Sequence, residues 1–80
     1  MMFDLVVHSK GPLKGDLLEM FYDDLVSVES GTRKNPDGTY PKVKDQVQET
    51  RFRFIGEVWR AADAHAQAAK RGFLAHVEPV

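Results

Sequence analysis

Hydrophobic and polar positions along this chain follow two periods, and the switches between them mark out the elements. Phe3, Leu5 and Val7 alternate with Asp4, Val6 and His8, which predicts a first strand over 3–8 with the first set facing one way. Gly11-Pro12 then interrupts the chain. From Asp16 the period lengthens. Leu17, Phe21 and Leu25 recur at i, i+4 and i+8, and Leu18 and Tyr22 widen the stripe. Asp16-Leu17-Leu18-Glu19 has the form of a capping box, so a short helix is expected from about Asp16 to Asp24, with a hairpin onto the first strand as the rival. Leu25-Val26-Ser27-Val28-Glu29 returns to a β pattern. Asn35-Pro36-Asp37-Gly38 is a type I turn signal, because proline presets φ and glycine tolerates a positive one. A hairpin across it would pair residues near 26–33 with those after Thr39. Pro41 restricts that pairing to an edge, so 31–46 is expected to form a mobile basic hairpin tip.

The stretch Arg51 to Trp59 fits both periods. As a strand it turns Phe52, Phe54 and Val58 to the core and Arg51, Arg53, Ile55, Glu57 and Trp59 to the other face, with Gly56 marking a bulge or a close approach. As a helix starting at Gly56 it continues a stripe of Ile55, Val58, Trp59, Ala62, Ala66, Ala69 and Phe73. The alternating aromatics favour the strand. Ala61 to Arg71 follows as an alanine-rich helix with Lys70 and Arg71 at its negative end and Gly72 in the stop position. Phe73, Ala75 and Val77 alternate as a last strand, which Pro79 ends.

Strand, helix, strand, strand, helix, strand is the ferredoxin-like β-α-β-β-α-β order, an α+β fold with a four-stranded antiparallel sheet and two helices on one face. The opposite sheet face would then be open, carrying Asp4, Val6, His8, Arg51, Arg53, Ile55, Glu57, Trp59, His76 and Glu78.

Eighty residues make one compact domain, 1–80, whose small core leaves room for a homodimer to bury more apolar surface. The chain has no cysteine, so neither a disulfide nor a thiolate contributes, which fits a cytoplasmic protein. No basic region leads into a long apolar stretch, and no apolar run approaches about 18 residues, so neither a leader nor a membrane span is expected. The net charge of −1 argues against a nucleic-acid coat but conceals a segregation. Residues 1–30 hold six acids against Lys10 and Lys14; residues 31–53 hold Arg33, Lys34, Lys42, Lys44, Arg51 and Arg53 against Asp37, Asp45 and Glu49.

Candidate chemistry is thin. His8 and His76 would stand on neighbouring strands near Asp4 and Glu78, but no compact ligand motif accompanies them, and surface histidines are the simpler explanation. His65 belongs on the solvent side of the helix. Ser9, Ser27 and Ser30 lie in no nucleophile elbow, and Asp23 and Asp24 are adjacent residues that point apart. No catalytic residue, metal ligand or cofactor site is therefore assigned, and the chain is expected not to be an enzyme.

Binding surfaces remain. Ile55 and Trp59 among Arg51, Arg53 and Glu57 have the make-up of a protein-binding hot spot, and the same set would stack bases. Arg51-Phe52-Arg53-Phe54-Ile55-Gly56 lacks the glycine-aromatic signature of RNA-recognition modules. Asp16, Glu19, Asp23 and Asp24 form an acidic set able to imitate phosphates and fill a basic groove on a partner. Arg33, Lys34, Lys42 and Lys44 form the alternative, a nucleic-acid-binding loop.

A small cysteine-free chain whose last strands flank Ala61-Ala62-Asp63-Ala64-His65-Ala66 resembles small phage proteins, among them anti-CRISPR proteins that act on type I systems. The resemblance covers size and the pattern of roughly the last 30 residues. It implies a non-enzymatic, phage-encoded inhibitor in the host cytoplasm. Such an inhibitor docks on a subunit of the surveillance complex and blocks its DNA-binding site. A small nucleic-acid-binding or regulatory protein using the basic hairpin is the alternative.

Overall fold

The computed structural model describes residues 1–80 apart from Pro12, Lys14, Gly15 and Tyr22 and the side chains of Asp16 and Leu18. It shows an α+β domain built on a four-stranded antiparallel sheet: β1 (Met2–Ser9), β2 (Leu25–Thr32), β3 (Gln48–Ile55) and β4 (Leu74–Pro79), in the order β2-β3-β1-β4. One long helix, α2 (Val58–Lys70), joins β3 to β4, and a single turn of helix, α1 (Asp16–Met20), precedes β2. A 3₁₀ turn at Val43–Asp45 lies in the β2–β3 connection.

β1 is central. Phe3 faces Phe54 of β3 and Pro79 of β4, and Leu5 faces Phe52 and Val77. The expected alternation holds: Phe3, Leu5 and Val7 are buried beneath the helical layer. Phe52 and Phe54 join them from β3, with Leu17, Phe21, Ala61, Ala64 and Ala68 closing the core from above. Phe21 stacks on Phe52 at 5.5 Å and packs on Phe54 at 5.0 Å, so the stripe from Leu17 to Phe21 is the inner face of this segment. The broadening of that stripe by Leu18 and Tyr22, and the cap expected from Asp16, lie outside the described residues.

The ends of α2 follow local chemistry. Gly72, at φ 84°, takes the left-handed position after Arg71. Its N–H donates to the Ala69 carbonyl and the Phe73 N–H to that of Ala68, the two bonds of a Schellman stop. The Asn35–Gly38 turn also forms as expected: Gly38, at φ 87°, donates to the Asn35 carbonyl at 2.9 Å.

Several boundaries differ from expectation. Helix α1 ends at Met20, not Asp24. The hairpin across the Asn35–Gly38 turn does form, β2 pairing with residues after Thr39 as expected, but only from Gln48 onward, so a connection of residues 33–47 separates the two strands. Most importantly, β3 stops at Ile55 and α2 begins at Val58, so Glu57 and Trp59 do not lie on the open sheet face. Glu57 is the helix N-cap, and Val58, expected in the core, is exposed. The cause is Gly56. A Cβ there would stand 2.9 Å from Cγ and 3.0 Å from Cβ of Arg60, so the missing side chain lets the chain turn back tightly and lay Arg60 against it. The helix thus starts close to Gly56, as the helical stripe allows, but with the opposite face inward. The buried face of α2 is Arg60, Ala61, Ala64 and Ala68, while Ala62, Ala66 and Ala69 are exposed.

Candidate functional site

Three surfaces collect the residues singled out by the sequence. The first is the sheet face away from the helices. Arg51 and Arg53 stand there, as their parity requires, but both converge on Asp4. Arg53 donates from Nε to Oδ1 at 2.8 Å and from Nη2 to Oδ2 at 3.0 Å, and Arg51 donates from Nη1 to Oδ2 at 2.8 Å. Asp4 is only 2% exposed although no helix covers it. The Arg53 hydrogen bond holds its carboxyl below the usual carboxylate range; burial pushes the other way, and Arg51 adds to the lowering. The chain of charges continues across β4, with Arg51 donating to Glu78 at 3.3 Å and His76 donating to the same oxygen at 2.9 Å. His76 first, then Arg51, lowers the Glu78 carboxyl. Beside this lattice Val6 is fully buried, in register between Arg51 and His76. The face is thus closed over its centre by self-neutralising ion pairs, and its arginines already have carboxylate partners.

His8 and His76 do stand close, with ring centroids 6.1 Å apart. His8 Nε2 lies 3.9 Å from Glu49, and its Nδ1 is buried without a hydrogen-bond partner among the described residues. Among the described residues no three histidine or carboxylate groups are arranged to hold a metal ion. His65 is exposed, its Nε2 3.1 Å from the Ala75 carbonyl. The hydroxyls of Ser9 and Ser30 engage the Gly11 carbonyl and the Thr50 hydroxyl.

The second surface joins the outer face of α2 to the sheet end where β1 begins and β3 and β4 finish. Val58, Trp59, Ala62, Ala66 and Ala69 fall within an arc of about 100° on the helix, opposite the buried stripe. All five are exposed, Trp59 by 65%. The Trp59 indole N–H donates to Glu57 at 3.0 Å, which fixes the ring at the head of the helix. Met1, Ile55 and Val80 are exposed at the same end: the Gly56 N–H bonds the Met1 carbonyl, and the Val80 N–H bonds that of Met2. Together the alanine-lined outer face of α2 and these large apolar side chains form an exposed apolar patch.

The expected acidic set does not stay together as free carboxylates. Glu19 and Asp23 are exposed, but Asp24 accepts from Arg60 Nε at 3.0 Å, and the Asp16 side chain lies outside the described residues. Arg60 is the residue that sequence reasoning missed. It is buried, donates to Asp63 and to the Met20 carbonyl, and lies over the rings of Phe21 and Phe54. Its spacing from Ala64 and Ala68, i+4 and i+8, is the signal that it belongs to the buried stripe.

The third surface is the connection from Arg33 to Val47 at the opposite end of the sheet, where Thr32 pairs with Gln48. Arg33, Lys34, Lys42 and Lys44 are all exposed there, and Tyr40 lies beneath the Lys34 ammonium at 5.5 Å. No family model, curated protein or solved structure matches the chain. No helix among the described residues is long and apolar enough to cross a membrane.

Proposed function

We propose that this protein is a small protein-binding module that docks through the outer face of α2, with Trp59 as its anchor. The observation that carries this is the second apolar stripe on α2: Val58, Trp59, Ala62, Ala66 and Ala69 face solvent, opposite a first stripe already buried against the sheet. Alanines let a partner helix or strand approach closely, and a fixed tryptophan at one end supplies the area in which binding energy concentrates. The sheet face is the weaker choice, because its arginines are neutralised by Asp4 and Glu78.

The strand order and the side on which Leu17, Phe21 and α2 pack support a ferredoxin-like plan in which α1 is reduced to a single turn. Such a scaffold presents α2 as a rigid ridge. The resemblance of size and pattern to anti-CRISPR proteins supplies the partner class: a subunit of a type I surveillance complex, whose DNA-binding site the docked module would block without chemistry of its own.

The test is capture of a purified type I surveillance complex by the immobilised protein, alongside Trp59→Ala and Ala66→Glu variants. Capture by the wild-type chain and loss in both variants is expected. Equal capture by all three would remove α2 as the contact, and no capture by any would remove this partner class. The acidic alternative is best tested with Glu19→Lys and Asp23→Lys, since replacing Asp24 would also break its bond to Arg60.

A further inference from the structure

The basic connection between β2 and β3 has an order of its own. The Asn35 N–H donates to the Thr39 carbonyl at 2.7 Å, and Asp37 accepts from both the Thr39 N–H and its hydroxyl, at 3.0 and 2.6 Å. Gln46 Nε2 donates to the Pro41 carbonyl, the 3₁₀ turn is closed by Asp45 N–H to Lys42, and the Arg33 N–H ties the base of the loop to Val47. These bonds hold a shaped projection that carries four bases against Asp37 and Asp45.

Those four bases differ from the arginines of the sheet and helix. Arg51, Arg53 and Arg60 are each bonded to carboxylates. Among the described residues, Arg33, Lys34, Lys42 and Lys44 have no carboxylate within salt-bridge distance and no side-chain hydrogen bond. All four are exposed. Arg33 and Lys34 line a groove of about 240 Å³ with Asn35, Pro36, Pro41, Val47 and one acid, Asp45, which forms no ion pair with either base. Tyr40 stands on the same projection, 58% exposed, with Lys34 over its ring. Unneutralised cations beside a presented aromatic ring match a phosphate backbone whose bases are free to stack.

We infer that the 33–47 projection is a binding site for single-stranded nucleic acid, with Arg33, Lys34, Lys42 and Lys44 on phosphates and Tyr40 against a base. The site is independent of the α2 face. An eight-residue strand spans about 26 Å, and the two surfaces lie at opposite ends of β1 and β3. Single strands suit it better than duplex, because a stacked duplex offers no free base to a tyrosine.

The experiment is fluorescence anisotropy with a labelled oligothymidylate of roughly 15 nucleotides, and with a duplex of equal length, over a range of salt. Binding to the single strand is expected at low salt, with a log–log salt slope of about −3 for four phosphate contacts. Tyr40→Ala should weaken it about tenfold. Lys42→Glu with Lys44→Glu should weaken it further and flatten the slope. Circular dichroism confirms that each variant is folded. Absence of binding at about 20 mM salt, affinity unchanged in the loop variants, or equal affinity for duplex would each overturn the assignment. None of these outcomes bears on the α2 surface.

Discussion

Arg60 donates a 2.6 Å hydrogen bond to the backbone carbonyl of Met20, the last residue of α1. One guanidinium therefore satisfies the carbonyl end of α1, pairs with Asp24 just beyond it and with Asp63 on its own helix, and covers Phe21 and Phe54. It fastens the short helical turn to the long one, where a five-residue helix has little stability of its own. Arg60→Ala should lower the unfolding free energy by about 2–3 kcal/mol, since the half-buried Met20 carbonyl loses its donor and the aromatic pair loses its cover. Arg60→Lys should recover only part, because an ammonium cannot span the three acceptors in one plane. Chemical denaturation measures both; a lysine variant as stable as wild type would refute the three-way role.

Gly56 and Arg60 should be energetically coupled. Gly56→Ala places a Cβ 2.9 Å from Arg60 Cγ, and the guanidinium's fixed partners restrict how far that side chain can yield. A loss of about 1–2 kcal/mol is expected. In the double variant with Arg60→Ala the Cγ contact is gone while the 3.0 Å contact with Cβ remains. The two losses should therefore sum to more than the double variant shows, and strict additivity would argue against the contact.

The same pair explains how far the fold was legible. Strand alternation located β1, the Phe52 and Phe54 positions and the last strand, because a half-buried sheet enforces a period of two. It failed at 56–59, where Val58 and Trp59 have β-forming side chains but the chain turns at a glycine chosen for a contact four residues ahead. Alanine hid the phase of α2. With methyl groups on both faces, a 3.6-residue period cannot say which stripe is inside, and a charged residue in the buried stripe runs against the usual sorting. Arg51 and Arg53 were correctly placed on the far sheet face. Their neutralisation was not foreseen, because it depends on Asp4 lying opposite Arg53 in a register that only pairing fixes. The basic loop was legible as charge, but not its internal hydrogen bonds, which depend on Thr39 and Gln46 reaching across turns.

Asp4 should give the protein a defined acid sensitivity. Folding lowers its pKa, chiefly through Arg53 and further through Arg51, with burial opposing. The stabilisation is therefore complete above the unfolded-chain value of about 4 and is lost as pH falls through the lower folded value. Glu78, lowered by His76 and Arg51, acts in the same direction. Asp4→Asn should cost about 1–3 kcal/mol at neutral pH. It should also flatten the dependence of unfolding free energy on pH below about 4. An acid limb of unchanged steepness would show that other carboxylates carry it.

Trp59 is the sole tryptophan of the chain and is 65% exposed, so its fluorescence reports directly on the proposed docking face. In the free monomer its emission should already be solvent-like, open to acrylamide quenching, and little shifted by denaturant. Trp59→Ala should change stability by no more than about 0.5 kcal/mol, because the ring contributes to neither the core nor the Arg60 contacts. Against a bound protein partner the same substitution should cost about 2 kcal/mol, roughly a thirtyfold loss of affinity, with a blue shift of the wild-type emission on binding. Titration followed by emission and by calorimetry separates the outcomes. Blue-shifted emission that persists when the free protein is diluted would show that Trp59 is buried within the monomer and would remove it as an anchor. Emission that shifts to the blue only as the protein is concentrated would identify a second copy of this chain as the occupant of the α2 face.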